Sequence, residues 1–225
     1  MNKALKSEKG PQSPADTREK IVDALMALAA EKSWDEISLS DVAARAGVSI
    51  SQFRDAFPSK GAVLGAFSRR IDKIVLDGST GDLANESAKD RLFDVLMRRF
   101  DALAPYKPAL KAINHWAMHD PTALPALNQL AINSLRFMLE AAGVNSEGPL
   151  GALKLQGLAL AWTHVFHIWL ADEAPDLATT MAALDKELAR GEIFVARAED
   201  ARRFLEPLAA PFKNFADRIL GGGRQ

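Results

Sequence analysis

Side chains suited to reading nucleic acid lie close together near the N-terminus of the 225-residue chain, within residues 38–60. Gln52 can pair through two hydrogen bonds with adenine, and Arg54 can bind a phosphate or a guanine. Ser51 lies beside them and, like them, gains little from burial. Residue types of this kind at adjacent positions predict contacts with double-stranded DNA.

Two short helices joined by a tight turn are predicted to position these side chains. Ser38 with Asp41 three residues later is typical of a helix start. Gly47 occupies the place where a helix ends in the left-handed conformation, and Ser49 can cap a new helix. Pro58 ends that second helix. The pattern predicts a helix-turn-helix, whose second helix presents its N-terminal side chains to the major groove.

A small hydrophobic core must support this pair. A helix over about residues 16–32 carries Ile21, Leu25 and Leu28 on one stripe, and a longer helix is expected over residues 60–77. The other expected core residues are Leu39, Val42, Ala43, Val48, Phe53 and Phe57. Their burial leaves the opposite face of the second short helix exposed.

The stretch SLSDVAARAGVSISQFRDAFPSKGAVLGAF, preceded by ADTREKIVDALMALAAEKSWDEI, resembles the DNA-binding region of the TetR family of transcriptional regulators. The AGVS turn and the FPSK sequence carry the resemblance, which covers about residues 15–70. It implies a homodimeric all-α protein whose N-terminal domains bind operator DNA. It also implies a larger C-terminal domain that dimerises and often holds a small ligand.

The resemblance also implies site residues. Residues 49–52 fall where the family's recognition helix meets DNA, and Lys60 falls where a lysine meets a phosphate. The chain departs from the family at Ser51, usually Gly, at Arg54, usually Tyr, and at Ala56, usually aromatic or His. The predicted DNA contacts are Ser38, Arg45, Ser49, Ile50, Ser51, Gln52, Arg54 and Lys60. The alternative is a helix-turn-helix kept only as structure, which the near balance of 28 Lys and Arg against 29 Asp and Glu leaves open.

Composition limits the other functions. Ala and Leu dominate, and the long segments have helical period, so the fold is predicted to be all-α. Cysteine is absent, and the sequence has neither a membrane-length apolar run nor a secretory signal, which fits a cytoplasmic location. We find no motif of a nucleophile, phosphate-binding loop or metal site, so neither enzymatic activity nor a cofactor is expected.

The chain divides into four predicted parts. Residues 1–15 read as a flexible leader, and residues 16–78 as the DNA-binding domain. The linker-like sequence GSTGDLANES separates that domain from a helical dimerisation and ligand domain over residues 86–200. Residues 201–225 form an amphipathic tail that either touches a membrane weakly or packs on the protein itself. The helices near 150–171 and 176–200 are the expected subunit interface.

The C-terminal half carries a second resemblance. The stretch VFHIWLADEAPDLATTMAALDKEL, with DRLFDVLMRRFDAL before it, resembles a TetR-like subgroup akin to a lipid-binding accessory protein of ubiquinone biosynthesis. This resemblance spans about residues 88–190. It implies an apolar cargo site and no operator binding, which is the alternative to a regulator.

An apolar or lipid-like ligand would need a pocket in this half. The stretch LALAWTHVFHIWL is apolar nearly all round and must be buried on several sides. The predicted ligand contacts are Trp116, Met118, His119, Phe137, Trp162, Phe166 and Trp169. The alternative is that these side chains are ordinary core. The four histidines fall at spacings of four (115 and 119) and three (164 and 167), but satisfied histidines beside a pocket are favoured over a metal site.

Overall fold

The computed structural model describes residues 13–78 and 85–193. Within these ranges the chain is helical and contains no strand, which confirms the all-α prediction. Most of the predicted leader, most of the linker and the whole amphipathic tail lie outside the described residues. No helix among the described residues is long and apolar enough to cross a membrane.

The N-terminal domain contains four helices. Their bounds are α1 Pro14–Glu31, α2 Leu39–Ala46, α3 Ile50–Ala56 and α4 Lys60–Asp77. Helix α1 begins two residues before the predicted boundary at residue 16. The reason is local, because the Ser13 hydroxyl accepts a hydrogen bond from the Asp16 N–H at 3.1 Å and Pro14 suits the first helical position.

Helix α1 packs against α2, α3 and α4. Ile21, Leu25 and Val42 are fully buried in the core of the domain, and the Phe53 and Phe57 rings, with centroids 6.5 Å apart, are buried with them. Leu39 is the exception to the predicted core, because it is 38% exposed at the first position of α2. The 3₁₀ turn Trp34–Glu36 lies between α1 and α2 and adds the buried Trp34 side chain to the core.

The C-terminal domain begins after residue 84. Its helices are α5 Ala88–Leu103, α6 Lys107–His119, α7 Ala123–Ala141, α8 Gly148–Ala171 and α9, residues 178–193. The two domains share contacts, since α6 packs against α1 and α4 packs against both α5 and α7. Trp34 and Trp116 stack across this junction with ring centroids 5.3 Å apart.

Two glycines in α8 differ in what surrounds them. A Cβ atom at Gly151 would lie 2.3 Å from the carbonyl carbon of Ser146, whereas one at Gly157 would meet nothing within 4 Å. The backbone at Ser146 cannot yield like a flexible side chain, so Gly151 is required by close approach. Nothing in the described chain requires Gly157.

We therefore expect opposite effects from the same substitution. Gly151→Ala should lower the free energy of unfolding by about 1–3 kcal/mol, because the new methyl group clashes with backbone. Gly157→Ala should raise it by up to about 1 kcal/mol, because alanine favours the helix. Urea denaturation of both variants measures the difference, and a loss of stability in both would contradict the assigned packing.

Candidate nucleic-acid interface

The turn between α2 and α3 depends on one backbone conformation. Gly47 ends α2 with φ of 66°, and its N–H points to the carbonyls of Ala43 and Ala44. This left-handed conformation strains any residue that carries a Cβ atom. The glycine therefore fixes the direction in which α3 leaves the turn.

Helix α3 begins with reciprocal hydrogen bonds between its first residues. The Gln52 backbone N–H donates to the Ser49 hydroxyl at 3.1 Å, and the Ser49 backbone N–H donates to the side-chain oxygen Oε1 of Gln52 at 2.8 Å. This capping box satisfies two N–H groups that would otherwise lack partners at the helix start. It also occupies the Gln52 oxygen, so the amide nitrogen of Gln52 is the group left to donate to a base.

The outer face of α3 is open to solvent. Ile50 is 53% exposed, and Ser51, Gln52 and Arg54 are exposed beside it. Phe53, between them in sequence, is buried and anchors the helix. Arg54 makes no hydrogen bond or ion pair with any described residue. This face can therefore offer a donor amide, a hydroxyl, an apolar side chain and a guanidinium to a groove.

Ser38, which caps the neighbouring helix α2, and Arg45 on that helix already have partners. The Ser38 N–H donates to Asp41 at 2.9 Å in a second capping box. That bond and the Lys32 ammonium lower the pKa of Asp41 to about 2. Arg45 makes two hydrogen bonds to Glu31, at 2.6 and 2.8 Å. The side chains of Arg45 and Glu31 are both exposed, and an exposed ion pair is weak, so Arg45 is free to leave Glu31 for a DNA phosphate.

Lys60, the predicted phosphate contact, has partners within the N-terminal domain. Its ammonium donates to the Trp34 and Ile37 carbonyls, both at 2.7 Å, and lies 4.9 Å from the Trp34 ring centroid. Partial burial lowers the pKa of Lys60 below its ordinary value. Two of its three N–H donors therefore connect the start of α4 to the 3₁₀ turn, and the third is left for a phosphate.

Two arginines that sequence analysis missed also position the helices. Arg18 on α1 donates to the Ala56 carbonyl at the end of α3, with its guanidinium 4.1 Å from the Phe57 ring centroid. Arg70 on α4 contacts Asp23 at 2.5 Å and Glu19 at 2.6 Å on α1. The only sequence signal for either was a basic residue beside an apolar stripe.

Residues 21–67, which contain α2, α3 and the turn between them, match the sequence profile of bacterial regulatory proteins of the tetR family. The helix-turn-helix domain is of the TetR family. Among curated proteins, none matches the sequence.

Solved structures extend the likeness beyond the TetR domain. A TetR transcriptional regulator from Nitrosomonas europaea ATCC 19718 is 26% identical, with a TM-score of 0.60, over 78% of this chain and 97% of that one. One from Rhodococcus sp. RHA1 is 21% identical, with a TM-score of 0.60, over 80% and 97%. A third, from Streptomyces coelicolor, is 19% identical, with a TM-score of 0.55, over 93% and 98%. The two-domain all-α fold of TetR regulators is therefore shared.

A buried polar cluster joins the TetR domain to the C-terminal domain. We call Asp72, Arg99 and Ser134 the junction cluster. Asp72 on α4 accepts hydrogen bonds from Arg99 on α5 and Ser134 on α7. Burial lowers the pKa of the Arg99 guanidinium, against the effect of the Asp72 charge. The Arg99 Nε atom is buried without a partner, so the cluster is held by few bonds in an apolar surrounding.

The seven predicted ligand contacts do not surround one pocket. Trp162 and Trp169 stack on Phe100 with centroids 4.6 and 5.3 Å apart, and Phe166 packs on both tryptophans. The remaining four are dispersed: Trp116 stacks on Trp34, while Met118, His119 and Phe137 are exposed. Trp162 and Trp169 are buried in the core of the domain, and Phe166 is half-buried against them. These three α8 side chains therefore pack as the alternative of ordinary core expects.

A cavity of about 530 Å³ lies elsewhere in this domain, among α5, α7, α8 and α9. None of the seven residues lines it. Helix α9 is held in place by Asp172, which accepts from the Thr180 N–H at 3.0 Å and hydroxyl at 2.7 Å. These bonds lower the pKa of Asp172. Sequence analysis missed the cavity because aliphatic residues distant in sequence form its walls.

The four histidines do not come together at one metal site. His115 and His119 have ring centroids 4.7 Å apart on the exposed end of α6, and His164 lies 3.9 Å from Glu187. No group of three His, Cys, Asp or Glu side chains that could hold a metal ion occurs within the described ranges.

Proposed function

We propose that this protein is a homodimeric transcription regulator of the TetR type, a repressor that acts in the cytoplasm and responds to an apolar or lipid-like ligand. The observation that carries the proposal is the open face of α3. Of its exposed side chains only Gln52 serves the fold of the described chain, through one oxygen, which leaves its amide nitrogen with Ile50, Ser51 and Arg54 open to solvent, while Gly47, Ser49 and Arg18 hold the helix in place. Binding, rather than catalysis, is the activity this arrangement supports.

Dimerisation is supported by the surface of α8. Leu153 and Leu160 are both exposed, the latter at 74%, with Gly157 between them on the same side of the helix. Exposed leucines repeated at helical spacing favour burial against another helix. We propose that α8 and α9 of two copies form a four-helix interface. Such a dimer must hold its two α3 helices about 34–36 Å apart to reach successive major grooves.

Selection of full-length protein on random duplex DNA tests this function. We expect an enriched inverted repeat, since the two-fold axis of the dimer imposes its symmetry on the site. Native mass spectrometry of the purified protein accompanies the selection. If no DNA sequence is enriched and the mass spectrum shows a lipid bound to the protein, the regulator proposal is wrong and the lipid-carrier alternative is favoured.

Gln52 supplies a sharper prediction within the same experiment. Gln52→Ala should broaden one base position of each half-site, because the donor amide is lost; a single hydrogen bond of this kind contributes about 0.5–1.5 kcal/mol. Gln52→Glu keeps an oxygen for the Ser49 N–H, so α3 keeps its cap, and should shift that position towards cytosine. Unchanged motifs in both variants would exclude base contact by Gln52.

A further inference from the structure

We propose that the C-terminal end of α6 binds one copper(I) ion through the side chains of His115, Met118 and His119. These residues lie within the last five residues of the helix, at spacings of three and four, so they share one face. All three are exposed, Met118 at 60%. Two imidazoles and a thioether are uncharged donors, and thioether sulfur selects copper(I) among the common metal ions. We call these three residues the α6 site.

The two histidines are placed as a chelating pair. Their ring centroids lie 4.7 Å apart. The Nδ1 atom of His119 lies 2.7 Å from the backbone oxygen of His115. Because a carbonyl only accepts, Nδ1 carries the proton, and the lone pair of the neutral ring is on Nε2. A backbone contact of this kind orients a metal-binding imidazole and leaves its other nitrogen for the ion.

His115 and Met118 have no evident role in the packing of α6. The ring nitrogens of His115 make no hydrogen bond with any described residue, whereas the sequence favoured satisfied histidines. Among the large apolar side chains of the described residues, only Leu160 is more exposed than Met118. A bound ion would give a partner both to the imidazole of His115 and to the sulfur of Met118.

The neighbouring groups favour a soft monovalent ion over zinc. Structural zinc takes four ligands, and no third His, Cys, Asp or Glu joins the histidine pair within the described ranges. The Oδ1 atom of Asp120 is already occupied, since it accepts from the N–H and hydroxyl of Thr122 at 2.9 and 2.6 Å. Lys111, one turn before His115, pairs with Glu173 at 2.6 Å, which compensates its charge. The partial negative charge at the C-terminus of a helix also favours a cation there.

Competition with ferrozine, a chelator whose copper(I) complex is coloured, tests the site in the full-length protein without oxygen. We expect one copper(I) ion per chain. His115→Ala and Met118→Leu should each weaken binding by about tenfold or more, since loss of even an outer partner of a metal ligand has an effect of that size. Both positions are exposed and both new residues favour a helix, so thermal stability should be retained. His115→Ala also keeps the bond from His119, which uses the backbone oxygen.

Matched variants at other exposed positions control for nonspecific binding. His164→Ala and Met181→Leu remove one histidine and one methionine away from the α6 site, and should bind copper(I) as the wild type does. X-ray absorption of the loaded wild type should show one sulfur and two nitrogen neighbours of the copper ion. The same spectrum without a sulfur neighbour would exclude Met118 as a ligand.

Three further results would overturn the proposal. Equal copper(I) affinity in His115→Ala and the wild type would exclude the histidine pair. Equal losses in the control variants would mean that copper binds to exposed donors in general. Displacement of copper(I) by an equal concentration of zinc would show that the ion was wrongly assigned. The α6 site lies outside the helix-turn-helix, so a protein that selects DNA but binds no copper would lose this site and keep the proposed regulator.

Discussion

Asp72→Ala should lower the free energy of unfolding by about 3–5 kcal/mol, the largest loss we expect from one substitution in the described chain. The reason is the partner left behind. Arg99 is only 6% exposed, and without Asp72 its charge would have no counterion in an apolar surrounding. Guanidinium denaturation with a tertiary-structure probe measures the change.

An exposed ion pair on the same helix supplies the control for Asp72. Asp77 contacts Lys73 at 2.7 Å, and both side chains are largely exposed. Asp77→Ala should change stability by no more than about 1 kcal/mol. Arg99→Met in the Asp72→Ala background should restore much of the lost stability, because it removes the unpaired charge. Strictly additive losses in the double variant would mean that the two groups are not coupled.

Arg54→Ala should weaken DNA binding for every sequence and reduce its dependence on salt. If Arg54 binds one phosphate in each half-site, the dimer loses two contacts and the log–log salt slope falls by about two. Lys60→Ala removes an equal charge but should leave the slope unchanged. Its expected effect is a loss of about 1–3 kcal/mol of stability, because the Trp34 and Ile37 carbonyls lose their donor. Fluorescence anisotropy at several salt concentrations separates the two.

Lys73→Ala controls for the removal of charge alone, since Lys73 is exposed on α4 and pairs only with Asp77 among the described residues. It should leave both the salt slope and the stability close to those of the wild type. Equal changes of the salt slope in the Arg54→Ala and Lys60→Ala variants would show that Lys60 also binds a phosphate, as the sequence predicted.

Local signals explain how much of the N-terminal domain was predictable. Gly47 and Pro58 act through backbone conformation, and Ser49 acts through a hydrogen bond to a residue three positions later, so the helix boundaries around them follow from the sequence. Lys60 and Arg18 differ because their partners lie 23 to 38 residues away. A long basic side chain at the surface and one folded onto a carbonyl look alike in sequence.

The C-terminal domain was predictable as helices but not as a site. Trp162 and Trp169 indicated apolar burial correctly, yet the spacing could not distinguish rings facing a pocket from rings stacked on Phe100. The cavity depends instead on how α9 meets α8, which Asp172 and Thr180 determine through a tertiary contact. Nothing in the sequence indicated that Asp72 has an ion-pair partner, because that partner, Arg99, lies 27 residues further along the chain.

The stacked Trp34 and Trp116 give the protein an internal optical signal at the junction of its domains. Two indoles with centroids 5.3 Å apart and planes inclined by 31° couple their excited states. The coupling produces a paired band in circular dichroism whose sign and size depend on that inclination. The other two tryptophans, 162 and 169, lie apart from this pair, around Phe100. A rotation of one domain against the other would therefore be visible in the spectrum without any attached label.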